Sequence, residues 1–380
     1  MSVINQLQTL RADTMANSAY EDDSSKDKVT KYVKTCSFSK LKDLPWVEKY
    51  RPKMMTDIIS HEEMIRSLGQ YIKKKTLPHL LFFGPSGSGK TSTIMCCAAE
   101  IYGEYIDFMI MRLNASNERG IETVRSKIKN FVSGKNNIFL PKEKQDVFKL
   151  VILDEIDSMT VEAQGMLRQT IEKYSTTTRF CLICNEIDKI NWALRSRCTD
   201  FRFAPLNPKN MRVRLEDICQ IENISYEKGA LEAVVNISNG DMRSAINLLQ
   251  LVTINVKNKK ITINDVYKIS SHCHPIIFNK IIKQMVRVVE KTDKTTTAKI
   301  SFADTVEVIC GLMIDNNITI PNLLEEIKKY VIQSSLSIKD KIYILDNLAR
   351  NEIYDSVSID PKNIIMGIIG SFIIIADKGK

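Results

Sequence analysis

A doubly wound α/β domain followed by an all-helical remainder is the architecture that this sequence predicts. Short, uninterrupted apolar runs stand at 80–83, 108–113, 150–153 and 180–184, each bounded by polar or turn residues. Continuous rather than alternating runs suit strands covered on both faces, and the amphipathic stretches between them suit the crossover helices of a parallel sheet. After Pro205 the strand signals fade and 207–271 reads as a small set of helices. A polar stretch at 290–297 then precedes a final helical block.

These patterns divide the 380 residues into an extension at 1–44, an α/β domain at 45–206, a first helical domain at 207–271 and a second at 272–380. The extension is polar and charge-mixed with no sustained apolar period, and is expected to be disordered. No internal repeat is evident. The net charge of +9 favours an anionic partner without naming one. Nine cysteines form no spaced framework, and the N-terminus lacks the basic-then-apolar form of a signal peptide, so a reducing interior rather than secretion is expected. The most apolar stretch, 364–375, is shorter than the roughly 20 residues that span a bilayer. It reads as a buried helix, and no membrane association is expected.

The first apolar run leads directly into Gly84-Pro85-Ser86-Gly87-Ser88-Gly89-Lys90-Thr91, which a helix-compatible segment follows. Strand before and helix after is the context that a phosphate-binding loop requires. Its glycines let backbone N–H groups turn inward around phosphates, and the helix N-terminus adds donors and the positive end of its dipole. Lys90 is expected to reach the β- and γ-phosphates, and the Thr91 hydroxyl to ligate Mg²⁺. ATP and Mg²⁺ are therefore the expected ligands.

The third run ends in Asp154-Glu155-Ile156-Asp157, which places adjacent carboxylates at the C-terminal end of a strand, where open α/β sheets bind ligands. Asp154 can complete a Mg²⁺ shell and Glu155 can polarise an attacking water, the division of labour that phosphoryl transfer to water needs. Asn185 ends the fourth run. It is expected on the same sheet edge, offering an amide beside the γ-phosphate.

Together these residues resemble the small subunits of replication factor C, the clamp loader of eukaryotes and archaea. The resemblance runs from Trp46 to the C-terminus. Pro45-Trp46-Val47-Glu48-Lys49-Tyr50-Arg51-Pro52 is similar to the family's N-terminal signature, which implies that Val47, Tyr50 and Arg51 wall the adenine pocket. Arg195-Ser196-Arg197-Cys198 resembles its Ser-Arg-Cys motif, whose arginine acts in trans, and Gly240-Asp241-Met242-Arg243 resembles the sensor of its helical lid. Arg197 and Arg243 accordingly join Glu155, Lys90 and Asn185 as expected catalytic residues. The resemblance implies an AAA+ P-loop NTPase domain, an all-α lid and an all-α collar that joins subunits into a ring-like pentamer. It also implies a sliding clamp and primer–template DNA as partners. Location follows the host: the nucleus if eukaryotic, otherwise the cell interior or a viral replication site. Three positions depart from the family pattern: Ile156 where alanine is commonest, Gly165 inside a helix, and Asn117 in place of an aspartate.

The segment 113–121 is similar to the entrance of the family's DNA-facing helix. Asn117 can cap a helix over 119–131 whose apolar stripe is Ile121, Val124, Ile128 and Phe131, while Arg125 and Lys129 lie four apart on another face. With Gly120 at the helix start, those two cations are the expected contacts to a DNA backbone. Cys181 and Cys184 have a zinc-like spacing, but residues three apart on a strand face opposite ways, so both are expected in the core. His272-Cys273-His274 lacks a second ligand pair and reads as structural.

Two rivals share these motifs. A nucleotide-binding but idle loader subunit would lack part of the set Lys90, Asp154, Glu155 and Arg197. A branch-migration helicase would add a DNA-binding module after the lid, where 301–380 instead reads as apolar-striped helices.

Overall fold

The computed structural model describes residues 44–116, 121–134, 147–256, 260–290, 302–357 and 360–378, and divides into one unit up to Arg51 and a second from Pro52 onward. Almost all of the 1–44 extension therefore lies outside the described residues. In the first unit a single helical turn, α1 (Trp46–Lys49), follows Pro45. Trp46 meets Tyr50 edge-on at 6.3 Å, and Arg51 pairs with Glu48 at 3.2 Å.

The second unit begins its α/β part with α2 (Glu62–Lys73), β1 (Leu80–Phe83) and α3 (Lys90–Tyr102). Then come α4 (Ile106–Met109), β2 (Ile110–Asn114), α5 (Ile121–Ser133), β3 (Lys149–Asp154) and α6 (Val161–Tyr174). β4 (Thr178–Cys184), α7 (Trp192–Arg195) and β5 (Thr199–Arg202) complete it. All strands pair in parallel, in the order β2-β3-β4-β1-β5. Apolar residues on both strand faces explain the continuous runs. Leu80, Phe82, Leu150, Ile152, Cys181 and Ile183 pack with Ile94 and Tyr102 on one side, and Leu81, Val151, Leu153, Phe180, Leu182 and Cys184 pack with Leu167 and Ile171 on the other. Cys181 and Cys184 thus enter opposite cores. Among the described residues no cluster of His, Cys, Asp or Glu could hold a metal ion through three or more of them.

Two details differ from the sequence expectation. The run at 108–113 does not form strand throughout: residues up to Met109 make a helical turn, Phe108 is exposed, and β2 starts at Ile110. β5 was not among the expected strands because it is a short edge strand whose polar Thr199, Asp200 and Arg202 break the apolar run. Ile156, the bulky departure, is fully buried and fills the core beneath the acidic turn.

Four helices follow: α8 (Pro208–Ile221), α9 (Ala230–Ser238), α10 (Met242–Val256) and α11 (Ile263–Ser270). Asn207 caps α8 through the Lys209 amide, with Pro208 at the first helical position, where its missing N–H costs nothing. Asn239 in the left-handed region stops α9. The last block is α12 (Pro275–Glu290), α13 (Phe302–Asp315), α14 (Ile320–Gln333), α15 (Ile338–Ser356) and α16 (Pro361–Lys378), built on a core of its own. Ile364, Ile365, Ile368 and Ile369 of α16 sit in that core, as expected of the apolar stretch, and no described helix is long and apolar enough to cross a membrane. Cys273 joins the same core, and His274 Nδ1 accepts the Ile276 N–H, so this cluster is structural.

Gly165 lies inside α6, where a Cβ would meet nothing within 4 Å. Gly165→Ala is expected to stabilise the fold by about 0.5–1 kcal/mol, because alanine loses less backbone freedom in a helix. A denaturant midpoint that moves down would show that α6 needs the glycine.

Candidate nucleotide site

The strand order puts the C-terminal tips of β3, β4 and β1 side by side, and each tip delivers one part of the site. From β1 the chain enters the loop Gly84–Thr91. Gly84 has φ +145°, and a Cβ there would lie 2.0 Å from the Phe203 carbonyl oxygen. Only glycine allows that approach. The loop closes on itself where Ser88 Oγ donates to Pro85 O at 2.7 Å. Lys90 is 7% exposed, and its ammonium donates to the carbonyls of Gly84 and Pro85 at 2.7 and 2.8 Å.

Its third bond crosses to β4, reaching Asn185 Oδ1 at 2.9 Å. From β3, Asp154 Oδ2 accepts the Thr91 hydroxyl at 3.0 Å. These are hard oxygen donors of the kind Mg²⁺ takes, so the pair fits that ion. Glu155 is exposed and holds φ +57°, ψ +41°, unusual for a residue with a side chain and a source of local strain. That conformation turns the chain out of the strand direction, and the Glu155 carbonyl is satisfied by the Ser158 amide at 3.0 Å and hydroxyl at 2.7 Å. Burial pushes the Lys90 ammonium below its usual pKa. Asp154 and Asp157 oppose that shift, whereas Arg243 adds to it.

The helical lid meets the loop directly. Asp241 Oδ2 accepts the Ser86 hydroxyl at 2.8 Å, its other oxygen caps α10 through the Ser244 amide at 3.0 Å, and the Met242 N–H reaches Gly87 O at 3.3 Å. Gly87 makes room for this contact: with φ +61°, a Cβ there would stand 1.7 Å from Asp241 Oδ1. The contact brings Arg243, on the first turn of α10, to the nucleotide-binding side of the sheet. The geometry thus brings the loop 84–91, the acidic end of β3, Asn185 and the first turn of α10 together.

The segment 80–206 matches the family described as "ATPase family associated with various cellular activities (AAA)", and 213–253 matches "RCF1/5-like, AAA+ ATPase lid domain". A replication factor C small subunit of Acanthamoeba polyphaga mimivirus is 59% identical over 325 residues, 86% of this chain and 92% of its own. The chain belongs to the replication factor C small-subunit family. Human replication factor C subunit 5 is 38% identical over 89% of this chain and 94% of its own, and the small subunit of the archaeon Staphylothermus marinus 37% over 80% and 86%. Among solved structures, the Thermotoga maritima RuvB Holliday junction branch migration motor aligns over 73% of this chain and 91% of its own, at 18% identity and a TM-score of 0.47. So slight a likeness carries no argument. As in its replication factor C relatives, the nucleotide domain is an AAA ATPase domain, followed by a lid and a helical C-terminal region.

The remaining expected residues lie on other elements or outside the described residues. Arg197 precedes β5, whose first residue, Thr199, pairs with Leu80 at the start of β1, while the phosphate loop leaves the end of β1 at Phe83. Arg197 therefore sits at the sheet edge opposite its own phosphate loop. Val47, Tyr50 and Arg51 belong to the first unit. Lys129 is exposed on α5, while Gly120, the Asn117 cap and the Arg125 side chain lie outside the described residues. Three participants escaped sequence reasoning. Arg112 pairs with Asp154 at 3.4 Å, Asp157 Oδ2 accepts the amides of Asn185 and Glu186 at 2.9 and 3.2 Å, and Asp241 seats the lid. Two of them had a signal, Asp157 in its place three residues after Asp154 and Asp241 within the motif 240–243.

Gly87→Ala is expected to displace Asp241 and weaken binding of a fluorescent ATP analogue at least tenfold, about 1.4 kcal/mol. Binding that recovers in the double variant with Asp241→Ala would identify the clash, rather than the loop backbone, as the cause.

Proposed function

We propose that this chain is an ATPase subunit of a clamp loader, which opens a ring-shaped sliding clamp and places it on primer–template DNA together with companion subunits in a ring-like pentamer. One observation carries the reading: Lys90, Thr91, Asp154 and Asn185 gather at three adjoining strand tips, while Arg197 stands at the opposite edge. Such a chain holds one nearly complete hydrolytic site and presents the missing cation to another.

In this reading the amides of the loop 84–91 cradle the ATP phosphates, Lys90 contacts the β- and γ-phosphates, and Val47, Tyr50 and Arg51 wall the adenine. Thr91 and Asp154 would hold Mg²⁺, which would supply charge neutralisation at the phosphates. Glu155 polarises the attacking water, Asn185 orients it, and Arg243 brings the lid toward the γ-phosphate. Arg197 stabilises the transferred phosphoryl group in the neighbouring subunit's site, so assembly and hydrolysis are coupled. All the groups that turnover needs are present, which argues against an idle subunit. Gly120, Arg125 and Lys129 track the DNA backbone without reading bases. Kinship with a viral small subunit and with eukaryotic and archaeal ones points to work wherever DNA is replicated, the nucleus or a viral replication site.

The direct test is ATPase activity of the chain purified with its partner subunits, with and without primed DNA and clamp. No stimulation by either would remove the clamp-loader reading. In that assay Glu155→Gln is expected to bind ATP normally and lose about 100-fold or more in kcat. Equal loss of binding and turnover would count against its role. Replacing Arg125 and Lys129 together by Ala is expected to weaken DNA stimulation and flatten its dependence on salt, since fewer counterions are released; an unaltered salt slope takes them off the DNA path.

A further inference from the structure

The ends of α6 lie at opposite edges of the sheet. Its N-terminus follows the acidic turn after β3, and its C-terminus leads to Thr178, which starts β4 beside Lys149, the start of β3. Between Val161 and Glu172 the helix rises about 16 Å. Glu172, in its last turn, meets Arg197. Its Oε1 accepts from Nε at 2.6 Å and lies 2.5 Å from Nη2, while Nη1 donates to the Ala193 carbonyl at 2.5 Å and approaches Ser196 Oγ at 3.3 Å. The two side chains are 43% and 34% exposed.

A pair this open to solvent adds little to stability. Its effect is on direction. Glu172 takes the side of the guanidinium formed by Nε and Nη2, and Ala193 takes one N–H of Nη1. Ser196 Oγ shares Nη1 at 3.3 Å, and the second N–H of Nη2 is left to meet an oxygen of an incoming phosphate. Held by one carboxylate and one carbonyl, Arg197 gives up little rotamer freedom when it meets an anion.

We propose that Glu172 is the positioning residue for Arg197: it aims the end of the guanidinium at the terminal phosphate of the nucleotide bound by the neighbouring subunit. This deepens the proposed function and rests on the reading that Arg197 acts in trans. Since Glu172 and the turn bearing Glu155 flank one helix, each subunit's hydrolytic carboxylate and the arginine it lends are linked through α6.

The test compares Glu172→Ala, Glu172→Gln and Arg197→Ala, each in the assembled complex with primed DNA and clamp. Arg197→Ala is expected to lower kcat by about 1,000-fold. Glu172→Ala should lower kcat roughly tenfold with KM, melting temperature and the variant chain's own ATP affinity unchanged. Glu172→Gln, whose amide oxygen still accepts the Nε–H bond, should restore most of the rate. Wild-type kcat in Glu172→Ala beside a collapsed Arg197→Ala overturns the positioning role and leaves the trans reading intact. A loss in Glu172→Ala that appears in KM or in melting temperature makes the residue merely structural and also overturns the proposal. Undiminished turnover in Arg197→Ala refutes the trans reading itself, and the proposal with it.

Discussion

A buried ammonium requires partners wherever it sits, and that requirement organises this site. Lys90 is removed from water at the start of α3, where an uncompensated charge would be costly. Two loop carbonyls and the Asn185 amide oxygen compensate it, so the loop from β1 and the tip of β4 are tied through one nitrogen. This tie depends on β4 lying next to β1, and β4 in turn depends on β3, whose last residue holds Thr91. The phosphate loop and the acidic turn are thereby held in register before any ligand acts on them.

Parallel pairing has a second consequence. Every strand points the same way, so residues that follow strands collect on one edge and residues that precede them collect on the other. Glu155 and Asn185 follow strands, whereas Arg197 precedes one. A single chain built this way cannot bring its own Arg197 to its own phosphates without breaking the β5 pairing with β1. The separation between Arg197 and the loop 84–91 is a property of the sheet, and no flexible loop can cancel it cheaply.

Much of this was legible in the sequence, because the informative signals were local. An apolar run, then glycines, then lysine encodes strand, loop and helix within a dozen residues, and 150–157 encodes a strand and its acidic end just as compactly. What could not be read was set by distant pairing. Ser86 and Asp241 are 155 positions apart, and nothing near either one announces the other. Arg112 looks like an ordinary exposed residue of a strand until the β2–β3 register brings it to Asp154. β5 escaped because an edge strand needs only one covered side, so alternation with polar residues hid it. Phe108 misled because an exposed aromatic on a helical turn reads, in sequence, like the first residue of the strand that follows.

The acidic turn shows how backbone geometry, more than side-chain number, sets the chemistry of the site. Had Glu155 continued the extended path of β3, its side chain would alternate with that of Asp154 across the sheet. The left-handed conformation instead ends the strand and starts a tight turn, at a steric cost that the Ser158 amide and hydroxyl help to offset. Asp157, brought round by the same turn, accepts the amides of Asn185 and Glu186 and so fixes the end of β4. The turn therefore positions Glu155, the proposed water-polarising group, and Asn185, the proposed sensor, in one step. Buried Ile156 anchors it from below.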